Sequence, residues 1–201
     1  MTELVLPNDT NTLNNLMGGR LMHWMDIVSA IAAQKHSNRI VVTASVDNIS
    51  FKHPIRLGNV VTLRAKVTRA FNSSMEVRID VDAEDIPSST KTESNSAFFT
   101  FVAVDQLGRP IDIPEVEPET EDEKALYEGA LRRRQLRLIL AGRMKPSEAK
   151  ELRSIFDIQE SGISGTVVYI DENENGDYDQ GEPLAVSQED DLTTPGMNET
   201  G

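Results

Sequence analysis

Cysteine is absent from this chain of 201 residues, and histidines and long apolar runs are scarce. Without cysteine the chain has neither a disulfide framework nor a thiol nucleophile. Its N-terminus lacks the charged and then apolar pattern of a secretory signal, so we expect a cytoplasmic protein. The three histidines show no metal-ligand spacing of the HExxH type. These absences argue against a disulfide-rich secreted domain and against a histidine-based metalloenzyme.

The negative charge of the chain is unevenly distributed. The formal net charge is −13, yet residues 154–201 contain 12 acidic residues and no Lys or Arg. Residues 1–153 contain the remaining 21 acidic residues together with all 20 basic ones, so they are close to neutral. A nucleic-acid-binding role for the whole chain is therefore not expected. The acidity belongs to a C-terminal extension.

A stretch of 13 residues, 21–33, is almost entirely apolar or small. It is too short to span a bilayer, so we expect no membrane insertion, and an apolar pattern on nearly all sides predicts a buried helix. Asp26 lies inside this stretch, with no Lys or Arg within one helical turn. A buried carboxylate is costly unless it is hydrogen-bonded or paired. Asp26 is therefore either a functional carboxylate or a residue on a narrow solvated edge of the helix.

A glycine pair, Gly18 and Gly19, stands at the predicted start of this helix. Glycines there allow a ligand to approach free N–H groups, and the helix dipole favours negative charge at that end. A carbonyl oxygen that becomes an oxyanion suits such a position, although capping or close packing explains most glycine pairs. Together with Asn11 and Asp26, the pair places a donor, an oxyanion-binding backbone and a base within 16 residues.

Strand patterns dominate the chain after this helix. β-Branched and alternating residues predict strands at 39–51, 59–70, 75–83 and 96–105, with a polar loop at 85–95. One long apolar helix followed by a run of strands predicts an α+β fold in which the sheet packs on the helix.

Helical patterns return after Pro118. Acidic residues crowd the first turn and arginines stand toward the end, an order that complements the helix dipole. A second short helix is predicted from Pro146 to about Phe156. We therefore expect three regions, namely residues 1–118, 119–156 and 157–201.

The C-terminal extension contains a candidate metal site at residues 171–182, DENENGDYDQGE. Oxygen-bearing side chains stand at positions 1, 3, 5, 9 and 12, and a glycine at position 6, as in a 12-residue calcium loop. The preceding residues 165–170, GTVVYI, predict a strand, and the segment is similar to calcium-binding strand-loop segments of repeated bacterial surface domains. A disordered acidic tail is the alternative. The candidate ligands are Asp171, Asn173, Asn175, Asp179 and Glu182.

Residues 9–33, DTNTLNNLMGGRLMHWMDIVSAIAA, resemble the opening of hotdog-fold acyl-CoA thioesterases of the acyl-CoA hydrolase type. The stretches 46–81 and 97–114 support the resemblance, which covers roughly residues 5–145. It implies a long central helix wrapped by a curved antiparallel sheet, with active sites at a dimer interface. One departure is Asn14, where the family usually has glycine. Asparagine tolerates a positive φ better than most residues.

The resemblance implies hydrolysis of acyl-CoA thioesters to a free acid and coenzyme A, without a metal or cofactor for the chemistry. Asp26 would act as general base on water, or as a nucleophile that forms an anhydride. Asn11, from the opposite subunit, would place water or substrate, and the backbone at Gly18 and Gly19 would polarise the carbonyl. The partner is then a second copy of the chain, in a dimer or a trimer of dimers.

Contacts to coenzyme A are less clearly marked. The resemblance implies that Ser73 and Ser74 touch its pantetheine or nucleotide, whereas the pattern alone favours an ordinary turn. Arg132 and the two arginines that follow it either bind the phosphates of coenzyme A or lie on a solvated face of the helix.

Two other functions remain open. One is another hotdog reaction such as dehydration of a hydroxyacyl thioester, which normally uses a histidine with a carboxylate. The other is a non-catalytic module that binds acyl-CoA or regulates in response to it, and such a module would not need Asp26.

Overall fold

The computed structural model describes residues 1–47, 49 and 53–157, and two short strands at 167–169 and 184–186. The chain divides into two compact units, Met1–Arg133 and Arg134–Gly201. The first unit contains a long helix and five strands, and a second long helix begins in it. Its elements are β1 (Thr2–Leu4), a 3-10 turn (Pro7–Asp9), α1 (Gly18–Ser37), β2 (Ile40–Asp47), β3 (Val60–Ala70), β4 (Ser74–Asp85), β5 (Thr90–Val104) and α2 (Glu121–Leu140).

The five strands form one antiparallel sheet in the order β1-β3-β4-β5-β2. Alternate residues of the strands face α1 and are buried, as the period of two in a half-covered sheet requires. Phe99 and Phe101 of β5 and Met25 of α1 are at most 1% exposed and lie at the centre of this core. A curved sheet packed on a central helix confirms the α+β, hotdog fold predicted from the sequence.

The strand predictions hold except at one hairpin. The ranges 59–70 and 75–83 are confirmed as β3 and β4, and β2 covers 40–47 of the predicted 39–51, of which 48, 50 and 51 lie outside the described residues. The polar loop predicted at 85–95 is wrong, because β5 already begins at Thr90. Ser94 and Asn95 are buried in β5, where Asn95 lies opposite Val81 of β4 and Ser94 falls at a shift in register. Their polarity therefore led to the wrong prediction of a loop. The N-terminal strand β1 has no counterpart among the predictions.

Helix α1 is buried on one side only, which corrects the prediction of burial all round. Leu21, Trp24 and Met25 face the sheet, whereas Ile27 and Ile31 are 37% and 48% exposed. A single sheet can cover only one face of a helix. The apolar residues on its other face are therefore available to another protein surface.

A buried ion pair joins α2 to the outer face of the sheet. Glu76 of β4 is fully buried, and its carboxylate accepts hydrogen bonds from Arg133 Nε at 3.0 Å and Arg133 Nη2 at 2.8 Å. Thr68 donates a third at 2.7 Å, and the guanidinium lies 3.9 Å from the centre of the Phe98 ring. Interpreting the arginines of α2 as a solvated face is therefore wrong for Arg133.

Gly129 provides the space that this ion pair needs. A Cβ atom at that position would lie 2.7 Å from Arg133 Nη1. Glycine inside a helix is normally unfavourable, and here it lets the guanidinium lie close to the helix backbone.

A capping box starts α2. Thr120 accepts a hydrogen bond from the Glu123 amide, and the Glu123 carboxylate accepts from the Thr120 amide in return. The same carboxylate binds the ammonium group of Lys66 on β3. The Lys66 contact and the backbone donors lower the pKa of Glu123 from 4.5 to about 2. The acidic first turn predicted after Pro118 is thus confirmed and has a defined role in capping.

The second unit contains the remaining short elements. A 3-10 turn at Pro146–Glu148 leads into α3 (Lys150–Asp157), which confirms the predicted short helix. The strands β6 (Val167–Tyr169) and β7 (Leu184–Val186) pair in antiparallel fashion, and β6 confirms the strand predicted within 165–170. No helix among the described residues is long and apolar enough to cross a membrane.

We expect Arg133→Met to lower the free energy of unfolding by about 3 kcal/mol, because it leaves Glu76 buried without its charged partner. Urea unfolding followed by circular dichroism measures this change. The control is Lys124→Met, which removes an exposed pair with Glu121 on the same helix and should cost less than about 1 kcal/mol. Equal losses in the two variants would contradict the importance of the buried pair.

Candidate active site

Asp9 holds together the two ends of the loop that joins β1 to α1. The side chain of Asp9 is 4% exposed, and its carboxylate accepts from Arg20 Nε at 2.8 Å and from the Leu6 amide at 3.0 Å. The backbone carbonyl oxygen of Asp9 accepts a hydrogen bond from the Met17 amide at 2.9 Å. Residues 10–16 therefore form a loop whose two ends are held together at the start of the helix.

Asn11 lies in this loop with a defined side-chain orientation. Its Oδ1 atom accepts hydrogen bonds from the Leu13 amide at 2.9 Å and the Asn15 amide at 3.2 Å. Two backbone donors identify the oxygen of the amide, so the exposed Nδ2 group remains a donor. Asn14 has a φ of 56°, which asparagine accommodates where the family usually has glycine.

The first turn of α1 offers two free donors. Met17 is the N-cap and provides no side-chain cap, while its carbonyl accepts from the Arg20 and Leu21 amides. Among the described residues, the amides of Gly18 and Gly19 have no acceptor. A Cβ atom at Gly19 would meet nothing within 4 Å. The helix start is therefore open to a ligand oxygen, at the end where the helix dipole favours negative charge.

Asp26 lies two turns further along α1 and is half-buried. Its Oδ1 atom accepts a hydrogen bond of 2.7 Å from the hydroxyl of Thr43 on β2. Among the described residues no lysine or arginine pairs with it. The carboxylate thus lies at an edge of the helix with a specific hydrogen-bond partner, and its functional role stays a prediction.

Thr43 is the site residue that sequence reasoning missed. In the sheet it lies opposite Phe101, whose ring faces α1. The available signal was its position two residues after Val41, on the face of the predicted strand that should turn toward the helix. A polar residue on such a face is a candidate partner for a polar residue of the helix.

One chain does not bring all these groups together. Asp26 is the seventh residue after Gly19, and this offset is roughly 10 Å along the helix axis. A carbonyl oxygen bound to the Gly18 and Gly19 amides therefore lies too far from the Asp26 carboxylate of the same chain for that group to activate an attacking water.

The predicted coenzyme A contacts lie elsewhere. Ser73 lies in the turn between β3 and β4 and its carbonyl accepts from the Ala103 amide, while Ser74 is the first residue of β4. This turn is about 33 Å along β3 from the strand end beside the loop. Arg132 is half-buried on α2. The structure thus brings neither serine to the helix start within one chain, and all three assignments stay predictions.

The described residues contain no group of three or more His, Cys, Asp or Glu side chains that could hold a metal ion. The calcium loop predicted at residues 171–182 lies outside the described residues and stays a prediction.

Comparison with known proteins identifies the family. Residues 13–89 match the family described as the Thioesterase superfamily. A Bacillus subtilis protein named uncharacterized acyl-CoA thioester hydrolase YkhA is 41% identical over 132 residues, covering 66% of this chain and 77% of that protein. This chain belongs to the thioesterase superfamily. Mouse acyl-coenzyme A thioesterase 11 is 43% identical over 145 residues, or 72% of this chain, but the match spans only 24% of that longer protein.

Solved structures of acyl-CoA thioesterases share the fold. An apo-hexameric acyl-CoA thioesterase matches with a TM-score of 0.68 and 41% identity over 70% of this chain and 90% of that one. An acyl-CoA hydrolase from Staphylococcus aureus, in complex with butyryl coenzyme A, coenzyme A and coenzyme A disulfide, matches with a TM-score of 0.64 and 34% identity over 79% and 91%.

Three further structures of the staphylococcal thioesterase carry alanine in place of an asparagine, an aspartate or a threonine. In sequence order these positions are separated by 15 and then 17 residues. Asn11, Asp26 and Thr43 are the same residue types at the same two spacings. This agreement in residue type and spacing includes Asn11 and Asp26, which were predicted from the sequence, and Thr43, which the structure places beside Asp26.

Proposed function

We propose that this thioesterase hydrolyses acyl-CoA thioesters to a carboxylic acid and coenzyme A, with Asp26 as general base. The hydrogen bond between Asp26 and Thr43 carries the proposal, because it gives the carboxylate a defined position without neutralising it by a cation. The names of its relatives and the matching asparagine, aspartate and threonine support the substrate class.

In the proposed reaction Asp26 accepts a proton from a water molecule whose oxygen attacks the thioester carbon. The carbonyl oxygen becomes an oxyanion that the Gly18 and Gly19 amides stabilise. The carbon–sulfur bond then breaks, and the thiolate of coenzyme A takes the proton back from Asp26. The Nδ2 group of Asn11 donates to the water or to the substrate carbonyl.

The site is shared between two subunits in this proposal. Within one chain the helix separates the oxyanion donors from Asp26 by roughly 10 Å, so the two halves of a site come from different copies. The side that carries Asp26 also has the features of an interface. β2 is a terminal strand of the sheet, and its apolar side chains Ile40, Val42 and Val46 are 58%, 49% and 37% exposed.

A second copy of this chain fits the terminal strand β2 and its exposed apolar side chains. An unpaired strand edge readily pairs with another chain, and the exposed face of α1 beside it is apolar as well. A two-fold dimer would cover both surfaces and bring Asn11 of one subunit to Asp26 of the other. The hexameric relatives support further assembly into a trimer of dimers. A cytoplasmic location is part of the same proposal.

Hydroxyacyl dehydration and a purely binding role are less well supported. The hydrogen-bond partner of Asp26 is a threonine hydroxyl, whereas dehydration in this fold normally pairs a carboxylate with a histidine. A binding module would not need a carboxylate that a specific hydrogen bond holds in position.

We expect Asp26→Asn to lower kcat for acyl-CoA hydrolysis by roughly 10²–10⁴-fold, because the amide cannot accept the proton. Release of free coenzyme A, followed with a thiol reagent across a panel of acyl-chain lengths, measures kcat. Binding of substrate should survive the substitution, as calorimetry with the variant can establish. Turnover close to that of the wild type would rule out Asp26 as the base.

Thr43→Val should lower kcat by roughly 10–100-fold, since a hydrogen bond to a charged group contributes about 1.5–3 kcal/mol and about 1.4 kcal/mol is tenfold in rate. Thr43→Ser is the matched control, because it keeps the hydroxyl and should retain most of the activity. If the serine variant loses as much activity as the valine variant, then the packing of the threonine methyl group matters and the hydroxyl does not.

Subunit mixing tests the shared site. Asn11→Ala and Asp26→Asn each inactivate every site of a homodimer, whereas a hybrid dimer keeps one site with both groups intact. Mixed in equal amounts, the two variants should recover about one quarter of the wild-type activity, since half of random dimers are hybrids with one productive site. No recovery, in samples where mass spectrometry detects hybrids, would exclude the shared site.

A further inference from the structure

The ion pair between Asp9 and Arg20 joins the two ends of the segment that carries Asn11. Asp9 lies in the 3-10 turn before the loop, and Arg20 is the third residue of α1. The two side chains meet at 2.8 Å, and the side chain of Asp9 is 4% exposed. An aspartate so far from solvent needs its partners. Its carboxylate adds a side-chain link between the two ends of the segment to the backbone hydrogen bonds that tie Leu16 to Ile55 and Asn14 to Leu57.

Arg20 is restrained by a second contact. Its guanidinium lies 5.6 Å from the centre of the Trp24 ring, and Trp24 is part of the core. Stacking of this kind stabilises one orientation of an arginine. The position of the Asp9 carboxylate is therefore fixed relative to the hydrophobic core and not only relative to its own loop.

Among the described residues no side chain caps the start of α1, and the Asn11 side chain bonds only within the loop itself. The N-cap residue Met17 makes no side-chain cap, and the Gly18 and Gly19 amides have no acceptor among the described residues. Serine, threonine, aspartate or asparagine at the N-cap would occupy an amide of this first turn. Here the ion pair provides the side-chain link between the loop and the helix, and it leaves those amides available.

We propose that Asp9 and Arg20 are a positioning pair that sets the loop carrying Asn11 relative to the Gly18 and Gly19 amides. The inference rests on the proposed function, in which Asn11 and these amides act on the same substrate. Small errors in the placement of groups that act together lower the rate strongly. Asp26 lies two turns beyond the pair, so its position should not depend on it.

Steady-state kinetics gives the first test. Asp9→Asn keeps the size of the side chain and an acceptor for the Leu6 amide but removes the charge that binds Arg20. We expect kcat to fall by roughly 10–100-fold, with KM changed by less than about twofold, because the misplaced donors act mainly in the transition state. Arg20→Lys should recover part of the rate lost in Arg20→Gln, since it keeps the charge.

Asp80→Asn is the matched control for a general loss of stability. It removes another aspartate–arginine pair, with Arg78 at 2.9 Å, from the outer face of β4. The melting temperature of each variant is measured alongside. Equal effects of Asp9→Asn and Asp80→Asn on kcat would overturn the proposal, and so would an unchanged kcat in Asp9→Asn.

Hybrid oligomers separate positioning from stability. Two differently tagged subunits are co-expressed and purified over both tags, one with Asn11→Ala and the other with Asp26→Asn. The productive site then uses the loop of the Asp26→Asn subunit and the carboxylate of the Asn11→Ala subunit. Asp9→Asn added to the Asp26→Asn subunit should lower the recovered activity by roughly 10–100-fold, because the loop of that subunit is in use.

The same change added to the Asn11→Ala subunit should leave the recovered activity in place, because the loop of that subunit takes no part. Equal losses in both placements would overturn the positioning role and indicate a structural one. An inactive reference hybrid, without any change at Asp9, would instead overturn the shared site and with it this inference.

Discussion

The packing of α1 against the inner face of the sheet is the constraint on which the rest of this protein depends. The same helix supplies the core with Leu21, Trp24 and Met25, and it carries the proposed oxyanion donors at its start and the proposed base two turns later. Because the buried side chains fix the rotation of the helix, they also fix which edge carries Asp26. The stability of the fold and the proposed catalytic geometry are therefore set by the same contacts.

Charge pairing separates the structural carboxylates from the proposed catalytic one. Asp9 and Glu76 are buried and each is bound by an arginine, and Asp82 is held by Arg64 and Lys91. Hydrogen bonds and charge from these two residues lower the pKa of Asp82 against the opposing effect of its burial. Asp26 has a hydroxyl partner and, among the described residues, no cation. A carboxylate that must accept a proton is better placed beside a neutral donor, since a cation would stabilise its charged form.

The single chain leaves one side of the fold incomplete, and this is consistent with a shared site. The terminal strand β2 and the neighbouring face of α1 expose apolar side chains, and Asp26 and Thr43 lie on these same two elements. The separation of Asp26 from the helix start follows from the rise of an α-helix alone. A second copy of the chain would bury this apolar surface and would also complete the proposed reaction centre.

The sequence by itself determined the fold class, the helix, most of the strands and the segment that contains Asn11, Gly18, Gly19 and Asp26. These features follow from hydrophobic periodicity and from residue types that act locally, such as a glycine pair before an apolar helix. Tertiary structure decided the rest. Thr43 meets Asp26 across 17 residues, Arg133 meets Glu76 across 57, and β5 extends through polar residues because β4 lies beside it. Such contacts depend on the register of strands and on which face of a helix meets the sheet, and no local pattern in the sequence specifies either.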